Sequence, residues 1–235
     1  MQHMGIQPEH DIRIKHASAA EIEQHYSRWV ELAGVGDSIV GGNGPSLSRA
    51  QRKNQLGIAV RPEFRIQLTR TMRRHGVARA IYARSVVLSA DVEGQVIGGL
   101  VARPQRGYVD GVAPFGSEVQ EATLVRLMKL EIVAIDREHR GAGGGGRPVR
   151  HALEIMKAGG VQLVYGSFSA DRRLEPFYES LGFAIAGNGY GLDLGPVTGA
   201  RFGVLAEVGE RLFACSLGAS PALVFTDASD GPVIR

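Results

Sequence analysis

The sequence predicts a mixed α/β single domain, and three observations carry that expectation. Two β-rich runs, Ser85–Val92 and Gln95–Ala102, are joined by Glu93-Gly94, a two-residue hairpin signal. An apolar run within Leu124–Ile135 passes through a charged turn into a glycine cluster and then a helix-period segment at 147–158, carrying Val149, Leu153 and Met156. Segments of strand and helix period are interspersed along the chain, which is the order of a layered α/β fold. At 235 residues, with 44% apolar and 22% charged residues, the chain is long enough for one well-filled core.

Taken in order, residues 1–11 read as a flexible leader. Ile12–Lys15 alternates as a short strand, and Ala19–Leu32 places Ile22, Tyr26, Trp29 and Val30 at helical spacing behind Ser18 as N-cap. Gly34–Ser48 holds five glycines, Pro45 and three serines, and reads as a loop or lid. A helix is expected over 62–75, with Phe64, Leu68 and Met72 on one stripe. The hairpin follows, then an irregular Arg103–Glu121. Downstream come a buried strand at Val161–Tyr165, a short helix at Glu175–Ser180 and a strand from Phe183. In the glycine-rich remainder, Phe202–Val208 and Arg211–Cys215 read as strands. The organisation expected is a leader (1–11), a main domain (12–200) and an extension (201–235) that closes a sheet edge.

Composition narrows the function classes. No run of 18 or more apolar residues is present, so a spanning helix is not expected. The N-terminus lacks a basic segment followed by an apolar one, and the single cysteine, Cys215, has no partner for an internal disulfide. The expected compartment is cytoplasmic and the expected setting of Cys215 is a small buried one. The histidines show no metal-ligand spacing, so no metal is expected. The net charge of +3 is uneven: Arg49 to Arg84 holds ten Lys/Arg against Glu63, a balance of +9 that leaves −6 elsewhere. Such a stretch is either the solvated face of helices or a surface for an anion such as CoA phosphates, an acidic acceptor or RNA.

The chemistry concentrates at Arg140 and the following Gly141, Ala142, Gly143, Gly144, Gly145 and Gly146. Glycines remove Cβ atoms, so several backbone N–H groups can converge on a phosphate at a helix N-terminus. The run satisfies G-x-G-x-x-G, but a lone match is weak. A dinucleotide fold places its first glycine close behind the strand, and here Asp136–Arg140 intervene. NAD(H) binding is the corresponding alternative. A Walker A loop is excluded because no Gly-Lys-Ser/Thr follows the glycines.

Residues 130–145 (Leu-Glu-Ile-Val-Ala-Ile-Asp-Arg-Glu-His-Arg-Gly-Ala-Gly-Gly-Gly) resemble the signature of the GNAT superfamily of acyl-CoA-dependent N-acyltransferases. Arg140, Gly143 and Gly145 occupy the fixed positions of its R-x-x-G-x-G/A motif. A second block, Pro176–Phe183, is similar to the family's F-Y-x-x-x-G-F segment. The resemblance covers residues 85–187 well and 12–32 loosely. It implies a central mixed, mostly antiparallel sheet flanked by helices, with acetyl-CoA as co-substrate. Departures are Gly144, where an aliphatic residue is usual, the Gly146-Arg147-Pro148 helix start, and Asp171 in place of an asparagine.

The resemblance further implies that Arg140 to Gly146 wrap the CoA pyrophosphate, Arg140 as a phosphate contact or as a structural cap. Backbone groups of the Val133-Ala134-Ile135 segment would hold the pantetheine arm like an added strand. Tyr178 would protonate the departing thiolate as general acid. Glu131 is the candidate general base: alternation puts Glu131, Val133 and Ile135 on one face, and the competing reading pairs Glu131 with Lys129. His139 and His151 read as surface residues.

The expected reaction is transfer of acetyl from acetyl-CoA to a primary amine by direct attack in a ternary complex, the acceptor being a small molecule or a protein. Alternatives are toxin-like acetylation of aminoacyl-tRNA, motivated by the basic 49–84 segment, and a non-catalytic acyl-CoA sensor. RNA binding through that segment and a homodimer are candidate interactions. No membrane association is expected.

Overall fold

The computed structural model describes residues 12–35, 43–61, 63, 65–140, 144–218, 222–227 and 233–234. The leader 1–11, Phe64 and Gly141–Gly143 lie outside the described residues. A seven-stranded sheet runs through the molecule, built from β1 (Arg13–His16), β2 (Val86–Val92), β3 (Gln95–Arg103), β4 (Leu127–Ile135), β5 (Leu163–Ser169), β6 (Ala184–Ile185) and β9 (Glu210–Ser216). Its order is β1-β2-β3-β4-β5-β9-β6, antiparallel throughout except for the parallel β4–β5 pair. A small second sheet joins β10 (Phe225–Asp227), β7 (Tyr190–Asp193), β8 (Gly203–Val204) and β11 (Val233–Ile234). The mixed, mostly antiparallel sheet is therefore the one expected. Among the described residues no helix is long and apolar enough to cross a membrane.

The β2–β3 turn forms as predicted. Glu93 and Gly94 have φ of 51° and 87°, the two positive angles of a type I′ turn, and Val92 pairs with Gln95. On one face of the sheet α1 (Ala19–Ala33) buries Ile22, Tyr26 and Trp29 against Val87, Val101 and Ile132. Ser18 caps it with a reciprocal capping box to Glu21. The Trp29 ring lies so close to β3 that a Cβ on Gly99 would come within 2.3 Å of it, which fixes glycine there. On the opposite face α7 (Gly146–Ala158) buries Val149, Ala152 and Met156 against Leu88, Leu100 and Leu130.

Several expectations give way. Within the loop foreseen at Gly34–Ser48, α2 (Asn43–Arg52) is helical, because Leu47, Ser48 and Ala50 are buried and its Ser48 and Gln51 side chains donate to carbonyls at Ala19 and Ala17. Arg103–Glu121, foreseen as irregular, contains α5 (Arg106–Gly111) and the first half of α6 (Ser117–Arg126). The strand run at Phe202–Val208 shortens to Gly203–Val204. Residues 201–235 do more than close an edge. Their strand Glu210–Ser216 lies between β5 and β6, with the two-residue Ala184–Ile185 outermost.

The basic segment is divided by the fold. Arg70, Arg73, Arg74 and Arg79, on α3 (Arg65–His75) and α4 (Val77–Arg84), are exposed. Arg84 is completely buried, its guanidinium donating to the carbonyls of Ala59, Gly159 and Val125. A cation buried on carbonyls holds three separate chain segments together, and its removal strands those acceptors. We expect Arg84→Met to cost about 3–5 kcal/mol in urea unfolding. A cost under about 1 kcal/mol would show that the carbonyls find other donors.

Candidate active site

The site is built where two strands part. β4 and β5 pair over Leu127–Lys129 and Leu163–Tyr165 only, and beyond this the pairing ceases. β4 continues along β3 to Ile135, while β5 continues along β9 to Ser169. In the β3–β4 ladder Val101 opposes Ile132 and Ala102 opposes Leu130, so Glu131 is an extra residue, a β-bulge. A bulge bends its strand and raises local twist, which carries the end of β4 away from β5.

The bulge also corrects the alternation read from sequence. Leu130 and Val133 pack on the α7 face, whereas Ile132 and Ala134 pack on the α1 face. The facing of β4 thus inverts across Glu131, and Glu131 does not belong to the Val133 and Ile135 row. Its carboxylate meets Arg103 of β3, Nε to Oε2 at 2.7 Å, and not Lys129 as the competing reading had it. Among the described residues neither carboxylate oxygen has a well-directed hydrogen-bond partner. Burial raises the Glu131 pKa, opposed by the charges of Arg103 and Lys129.

Backbone groups face the gap selectively. The Asp136 N–H donates to the Ile97 carbonyl on β3 at 2.8 Å. In an antiparallel ladder such groups alternate, so Ala134 also turns toward β3, and Val133 and Ile135 turn toward the gap. Ala134, expected among the cofactor contacts, is thus directed away. The Ile135 carbonyl is occupied by the Arg140 Nε at 2.9 Å.

A cavity of about 220 Å³ opens at the split and brings together Glu131, Val133, Ile135, Arg140, Gly145 and Tyr178. Sequence reasoning missed Arg103, Ser167, Arg172 and Glu210, of which the last three line this cavity. Arg172 donates to Leu32 and Ala33 carbonyls at the α1 C-terminus, and Arg140 reaches Leu32 as well. Two guanidinium groups therefore sit on that helix end, where cations are favoured. Arg140 is engaged here as a cap. Asp171 is exposed and accepts from the Ser169 hydroxyl at 2.6 Å.

Tyr178 lies on α8 (Glu175–Glu179) and is 6% exposed. Its ring stacks on Phe213 at 3.8 Å between centroids and meets Phe177 and Phe183 edge-on. Burial raises its pKa, against a weaker opposing effect of Arg172, so the phenol keeps its proton. Cys215 is buried in the same apolar layer, does not line the cavity, and has its thiol pushed up to about 12 by burial. His139 is half-buried in the turn before the glycines, and His151 lies on α7 near Glu154.

The glycines left unexplained by the sequence have a steric reason. A Cβ on Gly144 would stand 2.4 Å from the His139 carbonyl, so the returning chain packs directly on the turn. Gly145 faces the Phe177 ring and borders the cavity, and Gly146 opens α7. Among the described residues no side chain caps that helix start, which leaves its amide dipoles directed outward. Uncapped amides, a glycine cradle and nearby guanidinium groups suit a phosphate-bearing group.

The acetyltransferase (GNAT) family pattern matches residues 62–183. An acetyltransferase of the GNAT family from Streptococcus pneumoniae has a similar fold, at 14% identity and TM-score 0.51, covering 88% of this chain and 100% of that one. The yncA protein of Salmonella typhimurium, solved with its cofactor acetyl-CoA, aligns at 13% identity and TM-score 0.49 over 90% of this chain and 96% of its own. The paia N-acetyltransferase from Thermoplasma acidophilum, in complex with coenzyme A, aligns at 11% identity and TM-score 0.45 over 88% and 99%. No curated protein matches the chain.

Gly144→Ala should destabilise the fold by about 1–3 kcal/mol in thermal unfolding, since backbone must move to admit the methyl group. Gly145→Ala, facing a ring at 3.3 Å, should cost less than about 1 kcal/mol. Equal costs at both positions would refute this steric account.

Proposed function

Because the chain belongs to the acetyltransferase (GNAT) family, we propose that it transfers an acetyl group from acetyl-CoA to a primary amine by direct attack in a ternary complex. One observation carries this reading. The β4–β5 split exposes backbone of Val133 and Ile135 to the same cavity that holds Glu131 and Tyr178. The pantetheine arm would lie along the freed edge of β4. The pyrophosphate would meet the uncapped start of α7 at Gly145 and Gly146, within the wider run from Gly141.

Glu131 is assigned as base, accepting a proton from the attacking amine directly or through a water. The Val133 N–H, preorganised in the gap, would donate to the developing oxyanion. Tyr178, held by four aromatic rings and kept protonated by burial, would supply its proton to the departing sulfur. Cys215 lies outside the cavity, so no covalent enzyme intermediate is invoked.

Calorimetric titration should detect acetyl-CoA in preference to NAD. Tyr178→Phe keeps the ring stack and removes only the proton, so kcat should fall about 10²-fold with little change in acetyl-CoA affinity. Binding without turnover of any amine, unaffected by this substitution, would instead identify an acyl-CoA sensor.

The pH profile provides a separate check. A base must be ionised to act, and Glu131 has its pKa raised by burial. The kcat/KM should therefore rise with pH through a limb lying above the ordinary carboxylate range. Glu131→Gln should remove that limb; a limb that persists in this variant would assign the base elsewhere.

A further inference from the structure

A second, larger pocket adjoins the cavity at the split. Ser167 and Glu210 line both, and the second has a volume of about 640 Å³. Its walls carry charge of both signs. Lys129 projects from β4, while Glu207 and Glu210 flank the turn that enters β9. None of the three forms an ion pair with another described residue. The nearby Glu131 carboxylate, which could have served Lys129, is taken by Arg103. The Tyr165 hydroxyl is fully buried on the pocket wall and has no hydrogen-bond partner among the described residues. Between these polar groups stand Tyr108, Leu205 and Leu212, and Val208 at the mouth is wholly exposed.

Unpaired charges of opposite sign constrain what can fill such a space. A neutral ligand would leave both signs unmatched, and a simple cation would match only the glutamates. A ligand that is itself dipolar satisfies both walls at once, and its body can cover the apolar strip between them. Glu210 lines both cavities, so a carboxylate is available to an amino group at the boundary between them.

We propose that this pocket is the acceptor site and takes a dipolar amine of amino-acid type. The amino group meets Glu210, the acid group meets Lys129, and an apolar side chain lies along Tyr108 and Leu205. This rests on the acyl transfer proposed above. The ammonium first gives a proton to Glu210; the neutral nitrogen then forms a C–N bond to the acetyl carbon as the C–S bond breaks, a second amine proton goes to the base, and the sulfur takes a proton from Tyr178 and leaves as the thiol.

The test compares phenylalanine with 2-phenylethylamine, which lacks the acid group, and with 3-phenylpropionic acid, which lacks the amine. With acetyl-CoA the wild type should show kcat/KM for phenylalanine about tenfold or more above that for 2-phenylethylamine. Lys129→Met should lower the phenylalanine value about tenfold more than the 2-phenylethylamine value, erasing the preference, and Lys129→Arg should restore it. Glu210→Gln should raise KM for both amines. An equal or better 2-phenylethylamine value in the wild type, or equal losses in Lys129→Met, would overturn the dipolar assignment while leaving acyl transfer standing.

Saturation-transfer NMR with CoA present reads the pocket without turnover. Phenylalanine and 3-phenylpropionic acid should both show contact that Lys129→Met abolishes. That result with no amine acetylated would defeat the proposed reaction and retain the dipolar pocket. Contact unaffected by Lys129→Met would defeat the pocket assignment itself.

Discussion

Two parallel strands that share three residue pairs and then diverge leave two backbone edges unpaired, and in this chain those edges define the site. A sheet ordinarily satisfies such groups with a neighbouring strand, because buried unpaired amides are costly. Here the bulge at Glu131 bends β4 away, and β5 is held by β9 along its whole length. The gap cannot close by shifting one strand without breaking the ladder on its other side. What stands open is therefore a fixed feature of the sheet. Both cavities are lined by Ser167, the β5 residue that a continued β4–β5 register would have set opposite Glu131.

That geometry also places opposite chemical demands on adjacent residues. Leu130 and Val133 serve the apolar layer under α7, Ile132 and Ala134 the layer under α1, and Glu131 between them carries a buried carboxylate. Arg103 offsets part of the cost of that charge, and it can do so only because it lies on β3 beside the bulge. Tyr178 is fixed from the opposite direction by rings contributed from β5, β9 and α8. Rigid packing on one side and a bent strand on the other set the width of the opening.

Much of this was legible in the residues. Glu93-Gly94 demanded a type I′ turn, the apolar β4 run demanded a buried strand, and the glycines after Arg140 demanded close backbone approach. The local rule of alternation failed at Glu131, because a bulge is set by pairing with β3 and has no signature in β4 alone. Arg103 and Arg172 were invisible for a similar reason: their partners lie far away in sequence. Asn43–Ser48 looked like part of a loop because Gly, Pro and Ser are weak helix formers, yet burial of Leu47 against α1, together with burial of Ala50, outweighs that preference. In Ser117–Arg126 the buried residues Thr123, Leu124 and Val125 are consecutive, so no helical stripe announces the helix.

Arg84 closes a circuit that side chains alone could not. Its partners are main-chain oxygens at residues 59, 125 and 159, so the guanidinium reads the path of the backbone and not the identity of its neighbours. A guanidinium does not titrate in the accessible range, and carbonyls do not titrate at all. These three bonds are consequently indifferent to pH where an ion pair would weaken in acid. Substitution drift at the surrounding positions leaves them intact as long as the chain keeps its course. A gain or loss of even one residue within any of these three segments would put a carbonyl out of reach, so length variation in this part of the molecule should be confined to the turns that connect them.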